Sequence, residues 1–333
     1  MKNLTGKIIM GSLTGLFLFG LAITGCKKDE DPIKFPKGSF PDTVQNISSL
    51  NSPYDDYNLD IHEISGNMPL IFSSNRKSSG GQFDLEQGLI SFTFSQETGE
   101  FKMEAGMIND SFLEKLINAA KTPGNDFGPY RLYSSYDGYE YLLLSSVSSN
   151  GDLDLVYLKN RPVFSSVLPE IDGPHPISLL NTSSDDAYIS FNSKLDSAYF
   201  TSNLTGNFDI YLHSLPEGKE ISWWFDQVYS SSVAVDSVNG PNDDKCPMVF
   251  RKILIFTSDR PGGLGGFDLY YSRNVNGKWT SPVNFGPGIN TASDEYRPVI
   301  GFHPDFTNLF MMFSSNRPGG KGGFDLYFTG VEF

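Results

Sequence analysis

Five acidic positions recur along the chain: Asp56, Asp126, Asp186, Asp244 and Glu295. Each ends a short lead-in whose clearest copy runs Ile289-Asn290-Thr291-Ala292-Ser293-Asp294-Glu295 and continues into Tyr296-Arg297-Pro298. Leu50-Asn51 to Asp55-Asp56, Leu180-Asn181 to Asp185-Asp186 and Val238-Asn239 to Asp243-Asp244 lie over it without a gap, and Asn125-Asp126-Phe127-Gly128-Pro129 is a weaker copy. Carboxylates supplied once per repeat could ring a channel and form a weak site for a cation such as calcium, or for a basic segment of a partner. They could equally tie down their own loops through backbone amides. A second series, Asp84, Asp154, Asp209, Asp268 and Asp325, opens a strand in every repeat. Its expected task is structural, accepting hydrogen bonds from neighbouring turn amides rather than ligating metal.

Other chemistry finds little footing. His62, His175, His213 and His303 are scattered without an HExxH pair, and no Cys/His cluster supports zinc. No GxSxG elbow is present. The glycine-rich stretch Gly262-Gly263-Leu264-Gly265-Gly266 continues into a strand and not into Gly-Lys-Ser/Thr at a helix start, so it is no phosphate loop. Its glycines are expected to serve a tight turn that needs positive φ. Hydrolysis of a glycoside needs two carboxylates in unlike environments, whereas the recurring acids are alike from repeat to repeat. Trp223-Trp224-Phe225 is expected on an outer strand, covering a sheet edge rather than forming a sugar platform. No catalytic residue and no cofactor are therefore expected.

The elements that must carry these residues are short strands. Leu70-Ile71-Phe72, Leu142-Leu143-Leu144, Ala198-Tyr199-Phe200, Ile253-Leu254-Ile255-Phe256 and Leu309-Phe310-Met311-Met312-Phe313 are continuous apolar runs, the pattern of strands covered on both faces. Each is followed by a polar turn and one of the strand-opening aspartates, which are 70, 55, 59 and 57 residues apart. A unit of about that length cannot bury both faces of its own sheet, so units must stack around a common axis. The aromatic content of 14%, with 33 Gly and 20 Pro, fits short strands and sharp turns. The expected fold is all-β: a five-bladed β-propeller of four-stranded antiparallel blades, with one inserted amphipathic helix over about 110–121. Residues near Phe40 to Val44 are expected to complete the last blade, closing the ring and hiding its open edge.

The turn Phe256-Thr257-Ser258-Asp259-Arg260-Pro261-Gly262-Gly263 through Asp268-Leu269-Tyr270, and its near copy Phe313 to Tyr327, resemble the WD40-like PD40 repeat of TolB-type propellers. The likeness is weaker over Ser146 to Asp154 and Ser202 to Asp209, which lack the Arg-Pro-Gly-Gly turn. It implies a non-catalytic binding or scaffold module that engages another protein of the cell envelope. The alternative is a carbohydrate-active hydrolase of the five-bladed kind.

The N-terminus has its own logic. Lys2 and Lys7 precede an apolar run from Ile8 to Ile23 that is too short and glycine-rich to span a membrane stably, which reads as an export signal over residues 1–25. Leu21-Ala22-Ile23-Thr24-Gly25-Cys26 resembles the lipobox of bacterial lipoproteins, which implies a lipid on Cys26. Lys27-Lys28-Asp29-Glu30-Asp31 resembles a sorting tag for the outer face of the outer membrane. Residues 26–38 are then a tether and 39–333 the propeller. Cys246 cannot pair with a lipidated Cys26 and is expected to be a small buried apolar residue. Of the 25 Lys and Arg, Lys2 and Lys7 fall in the leader, leaving 23 against 39 Asp and Glu, a balance of −16. Nucleic acid and anionic lipid headgroups are not expected as partners on that ground, because both need a basic surface.

Overall fold

The computed structural model of the chain describes residues 33–61, 65–162, 167–216 and 218–333. The leader, Cys26 and His62 lie outside these residues. Five antiparallel sheets follow one another around an axis. Blade one is Asp56–Ile61, Asn67–Ser74, Asp84–Phe94 and Phe101–Met107, and blade two is Asp126–Ser134, Tyr139–Val147, Leu153–Asn160 and Asp172–Pro176. Blade three is Asp186–Phe191, Ser197–Ser202, Asp209–Ser214 and Val233–Ala234. In blade four, Asp244–Phe250, Ile253–Ser258 and Asp268–Val275 are followed by two short strands, Lys278–Trp279 and Val283–Asn284, which both pair with the third. Blade five takes Glu295–Gly301, Leu309–Ser315 and Asp325–Val331 from the C-terminus and Gln45–Asn46 from the N-terminus. The ring thus closes as expected, with the pairing one residue beyond Val44: Gln45 faces Phe328 and Asn46 faces Tyr327.

The apolar runs become the second strand of each blade. Leu70, Ile71, Leu143, Leu144, Leu254, Ile255, Phe256, Met311, Met312 and Phe313 are wholly inaccessible, each facing a neighbouring blade. Burial of such a side chain contributes about 1.5–3 kcal/mol.

The lead-ins are the mortar between blades. Asn51, Asn181, Asn239 and Asn290 each clamp one residue of the preceding blade's third strand, accepting its N–H and donating to its carbonyl. Asp55, Asp185, Asp243 and Asp294 accept the amides of Phe324, Leu153, Phe208 and Phe267 from that same blade.

Every inner strand also carries a bulge at its third residue. Asn58, Gly128, Tyr188, Cys246 and Arg297 there have φ of 56, 57, 55, 55 and 50°. Left-handed backbone costs a side-chain-bearing residue about 1–2 kcal/mol, so something must hold it. In four blades the bulged N–H donates to a hydroxyl of the preceding blade: Asn58 to Ser314, Tyr188 to Ser145, Cys246 to Thr201 and Arg297 to Thr257, at 3.0–3.2 Å.

Two α-helices and one short 3-10 helix, Arg76–Ser78, are present among the described residues. The expected one spans Ser111–Ala120, with Asp110 accepting the amides of Phe112 and Leu113, and it buries Leu113, Leu116 and Ala120. The second, Ile221–Phe225, corrects the reading of Trp223-Trp224-Phe225 as strand. Trp224 packs on Phe191 and His213 of blade three and Phe225 on Tyr141 and Tyr157 of blade two, while Trp223 stays exposed, because a helical turn sends adjacent side chains in different directions.

Candidate functional site

The five inner strands run the same way along the axis, from the lead-in acids at one end to Ile61, Ser134, Phe191, Phe250 and Gly301 at the other. The two mouths differ in construction.

At the lead-in mouth the acids are spent on their own loops. Asp56, Asp126, Asp186, Asp244 and Glu295 are completely buried. Asp56 accepts from Ser52 N and Ser74 Oγ and pairs with Arg76 at 2.5 Å. Asp126 accepts from Thr122 and Ser146, and Asp186 from Thr182 N. Asp244 accepts from Gly240 N and pairs with Arg260 at 2.5 Å, and Glu295 accepts from Thr291 and Ser315 and pairs with Arg317 at 3.0 Å. Burial pushes the carboxyls of Asp126, Asp186, Asp244 and Glu295 above their ordinary range, against the pull of these hydrogen bonds. Among the described residues no three His, Cys, Asp or Glu side chains come together so as to hold a metal ion. Tyr57 packs against Phe83, Phe127, Tyr296 and Phe324 and narrows the axis above them.

The strand-opening series divides: two of its five members accept turn amides as expected. Asp268 accepts the amides of Leu264 and Gly265, and Asp325 those of Lys321 and Gly322. Asp84 pairs with Lys121, and Asp209 accepts from Thr205 and Asn207. Asp154 has a buried Oδ1 without a partner, and desolvation, with Asp152 and Asp186 nearby, raises its pKa to about 6. Of the turn glycines only Gly262 needs positive φ, at 90°; a Cβ on Gly265 would stand 2.0 Å from the carbonyl of Ser293, so close approach between blades is what selects glycine there.

His175 pairs with Asp172, His213 meets Ser232, and His303 packs on Phe92 and Phe306, three separate surroundings. Cys246 is fully buried at its bulge, where burial pushes the thiol up to about 12.

Beneath the constriction Arg297 lies on the axis, 1% exposed, with Nη2 donating to the carbonyls of Gly128 and Pro129 and its charge over the Tyr188 ring. Past it the axis opens into a cleft of about 560 Å³ to which all five inner strands contribute. Here the acid comes from one blade, whereas phenylalanine comes from three. Blade one supplies Asp60, blade two Tyr130, Arg131 and Tyr133, blade three Phe191, blade four Phe250 and Arg251, blade five Phe302. Asp60 is almost wholly buried and accepts from Arg131, through the backbone N at 3.1 Å and through Nε at 3.0 Å. Arg131 is held in turn by the carbonyl of Pro69. The Tyr130 phenol accepts from Phe191 N, and burial pushes it up to about 12. Arg251 lies over the rings of Phe250 and Phe302, at 5.1 and 4.8 Å. A carboxylate fixed by an arginine, flanked by aromatic faces, is an arrangement that can hold a sugar ring and stabilise charge on it.

None of these cleft residues was singled out by sequence. The lead-ins drew notice because they recur, whereas the cleft is built where the blades diverge. The usable signal is positional: the residues four and more beyond each lead-in acid.

No protein family and no curated protein sequence matches the chain. Solved structures do. A thermostable family-43 glycoside hydrolase is 11% identical with a TM-score of 0.53, the match covering 85% of this chain and 93% of that one. The catalytic domain of the GH62 alpha-L-arabinofuranosidase of Coprinopsis cinerea is 12% identical with a TM-score of 0.51, covering 87% and 98%. The endo-arabinase of Bacteroides thetaiotaomicron is 11% identical with a TM-score of 0.51, again covering 87% and 98%. The likeness establishes a shared fold. It also corrects the reading of the Phe256 to Tyr270 turn as a PD40 repeat of the TolB kind: no such family matches, and the similar structures are glycoside hydrolases. The expectations drawn from that resemblance, a non-catalytic scaffold and no enzyme, fall with it. What the chain shares with glycoside hydrolases is the five-bladed ring.

Proposed function

We propose that the chain is a carbohydrate-active hydrolase of the five-bladed propeller kind, exported and anchored to the outer membrane by a lipid on Cys26, with the axial cleft as its glycan site. The observation that supports it best is the asymmetry of that cleft: its acid, Asp60, comes from blade one alone, Arg131 and the phenols from blade two, and phenylalanines from blades three to five. Division of labour among unlike groups is what glycoside hydrolysis demands. Arg131 holds Asp60 in one orientation, as a base or a stabiliser of an oxocarbenium-like centre must be held. Asp60, the single carboxylate among the described residues of the cleft wall, takes that role; the proton for the leaving oxygen then comes from water, since no second carboxylic acid stands beside it there. Phe250, Phe302 and Tyr133 offer faces for the sugar ring.

Incubation with arabino-, xylo- and galacto-oligosaccharides, with new reducing ends measured, tests the chemistry. Asp60→Asn should lower turnover about 100-fold or more with binding retained. Binding without turnover of any of these glycans, or turnover indifferent to Asp60→Asn, overturns the reading. Cys26→Ala should move the chain from the membrane to the soluble fraction; unchanged retention overturns the anchor.

A further inference from the structure

The chain enters the propeller on the cleft side. Lys34 and Phe35 donate their amides to the carbonyl of Gln96, in the turn joining the last two strands of blade one. Gly38 forms a parallel bridge with Phe306, donating to Asp305 and accepting from Thr307. Residues 302–308 are the loop that follows the inner strand of blade five, and its first residue, Phe302, lines the cleft. Both attachments therefore lie at the end of the axis where the inner strands finish. The lead-in mouth is about 20 Å farther along, the length of a six-residue strand.

Six residues lie between Cys26 and Ile33, seven Cα steps with a fully extended reach of about 25 Å. A lipid on Cys26 would hold the cleft end of the propeller within that distance of the headgroups.

The composition of the two ends agrees with this. Four of the six exposed aromatic side chains, Phe35, Tyr133, Tyr136 and Phe302, stand on the cleft side, and aromatic rings favour the boundary between headgroup and acyl chain. Lys34, Lys37, Lys194, Arg251 and Lys252 are exposed there without an ion pair. At the far end the doubled acids of the lead-ins pair with Arg76, Lys245, Arg260 and Arg317.

We infer that the cleft opens toward the membrane and that its ligand is a glycan borne by that membrane. The inference rests on the glycan-site and lipid-anchor readings above and names the source of their substrate.

The test uses the full acylated chain in vesicles of phosphatidylethanolamine and phosphatidylglycerol carrying a headgroup-linked quencher. A fluorophore is attached to Lys252→Cys on the cleft side, or to Asp236→Cys in the loop leading to the inner strand of blade four. Buried Cys246 should stay unlabelled. Quenching should be severalfold stronger at 252 than at 236, and the ratio should fall when a thirty-residue Gly-Ser linker is inserted after Asp31. Equal or reversed quenching on vesicle-bound protein overturns the orientation while leaving the hydrolase reading intact. Failure to recover the chain with vesicles overturns the anchor, and the orientation with it. Should hydrolysis be found, a vesicle-borne glycolipid should turn over severalfold faster than the same glycan free in solution. A faster reaction on the free glycan overturns the membrane-borne substrate even if the orientation stands.

Discussion

The two mouths of the axis are made of the same five strands and obey opposite rules. At the lead-in mouth every blade repeats one device, an acid that accepts the backbone amide four residues before it and so ties down its own loop, and the result is a joint. At the cleft mouth the blades diverge, with an acid from one, phenols from another and phenylalanines from three, and the result is a concave wall with an ion pair and aromatic faces. Repetition in a propeller marks what every blade needs in order to stack. A site for an asymmetric ligand must be assembled from what the blades do not share.

Sharp substitutions can break this contrast, and the largest effect belongs at the joint. Arg260→Met strands the wholly buried Asp244 without its cation and should cost about 3–5 kcal/mol in denaturant unfolding. A cost below that of an ordinary surface change would mean the lead-in acids are not structural. Gly265→Ala pushes a methyl into the Ser293 carbonyl of the next blade and should cost about 1–3 kcal/mol, detected as a lower melting temperature. Thr257→Val leaves the buried N–H of Arg297 without an acceptor, and the same measurement should give a loss of about 1–3 kcal/mol.

A gentler effect is pH-dependent. Asp154 is pushed to about 6 in the folded chain from an ordinary 3.8, so the folded state holds its proton where the unfolded state has released it. Its contribution is complete below the unfolded value and is lost as pH rises through about 6; the buried acids of blades two to five are shifted in the same direction. The melting temperature should therefore rise on mild acidification, and Asp154→Asn should flatten part of that rise; a steeper rise in the variant would contradict the assignment.

Smallest of all in stability, Phe302→Ala on the cleft rim should stay within about 0.5 kcal/mol of the parent while weakening glycan binding in calorimetry. Loss of stability without loss of binding would make the rim part of the joint.

The same contrast explains what could be read from the sequence. The five apolar runs, the lead-ins and the closing N-terminal segment were legible because each answers a demand shared by all blades. The bulge was not, since Asn58, Gly128, Tyr188, Cys246 and Arg297 have no side chain in common. Their backbone is bent by a hydroxyl on the neighbouring blade, so the signal sits at Ser314, Ser145, Thr201 and Thr257, far away in the chain. Asp60 and Arg131 were illegible for a related reason, being unique to their blades and paired across 71 residues. Trp223-Trp224-Phe225 misled because a five-residue helix is too short to display a period.

The closing strand governs the order of events in assembly. Asn46 reaches Asp325, 279 residues away, and Phe40 stacks at 3.8 Å on Phe306. These contacts cannot form until the C-terminal blade exists, so a chain made N-terminus first must keep this segment unpaired until its last residues arrive. High contact order of this kind slows folding and leaves the unfinished edge exposed meanwhile. In the finished molecule the same clasp joins first residues to last, so opening the ring requires releasing blade five as a whole. Durability at the cell boundary would then be a matter of rate as much as of equilibrium.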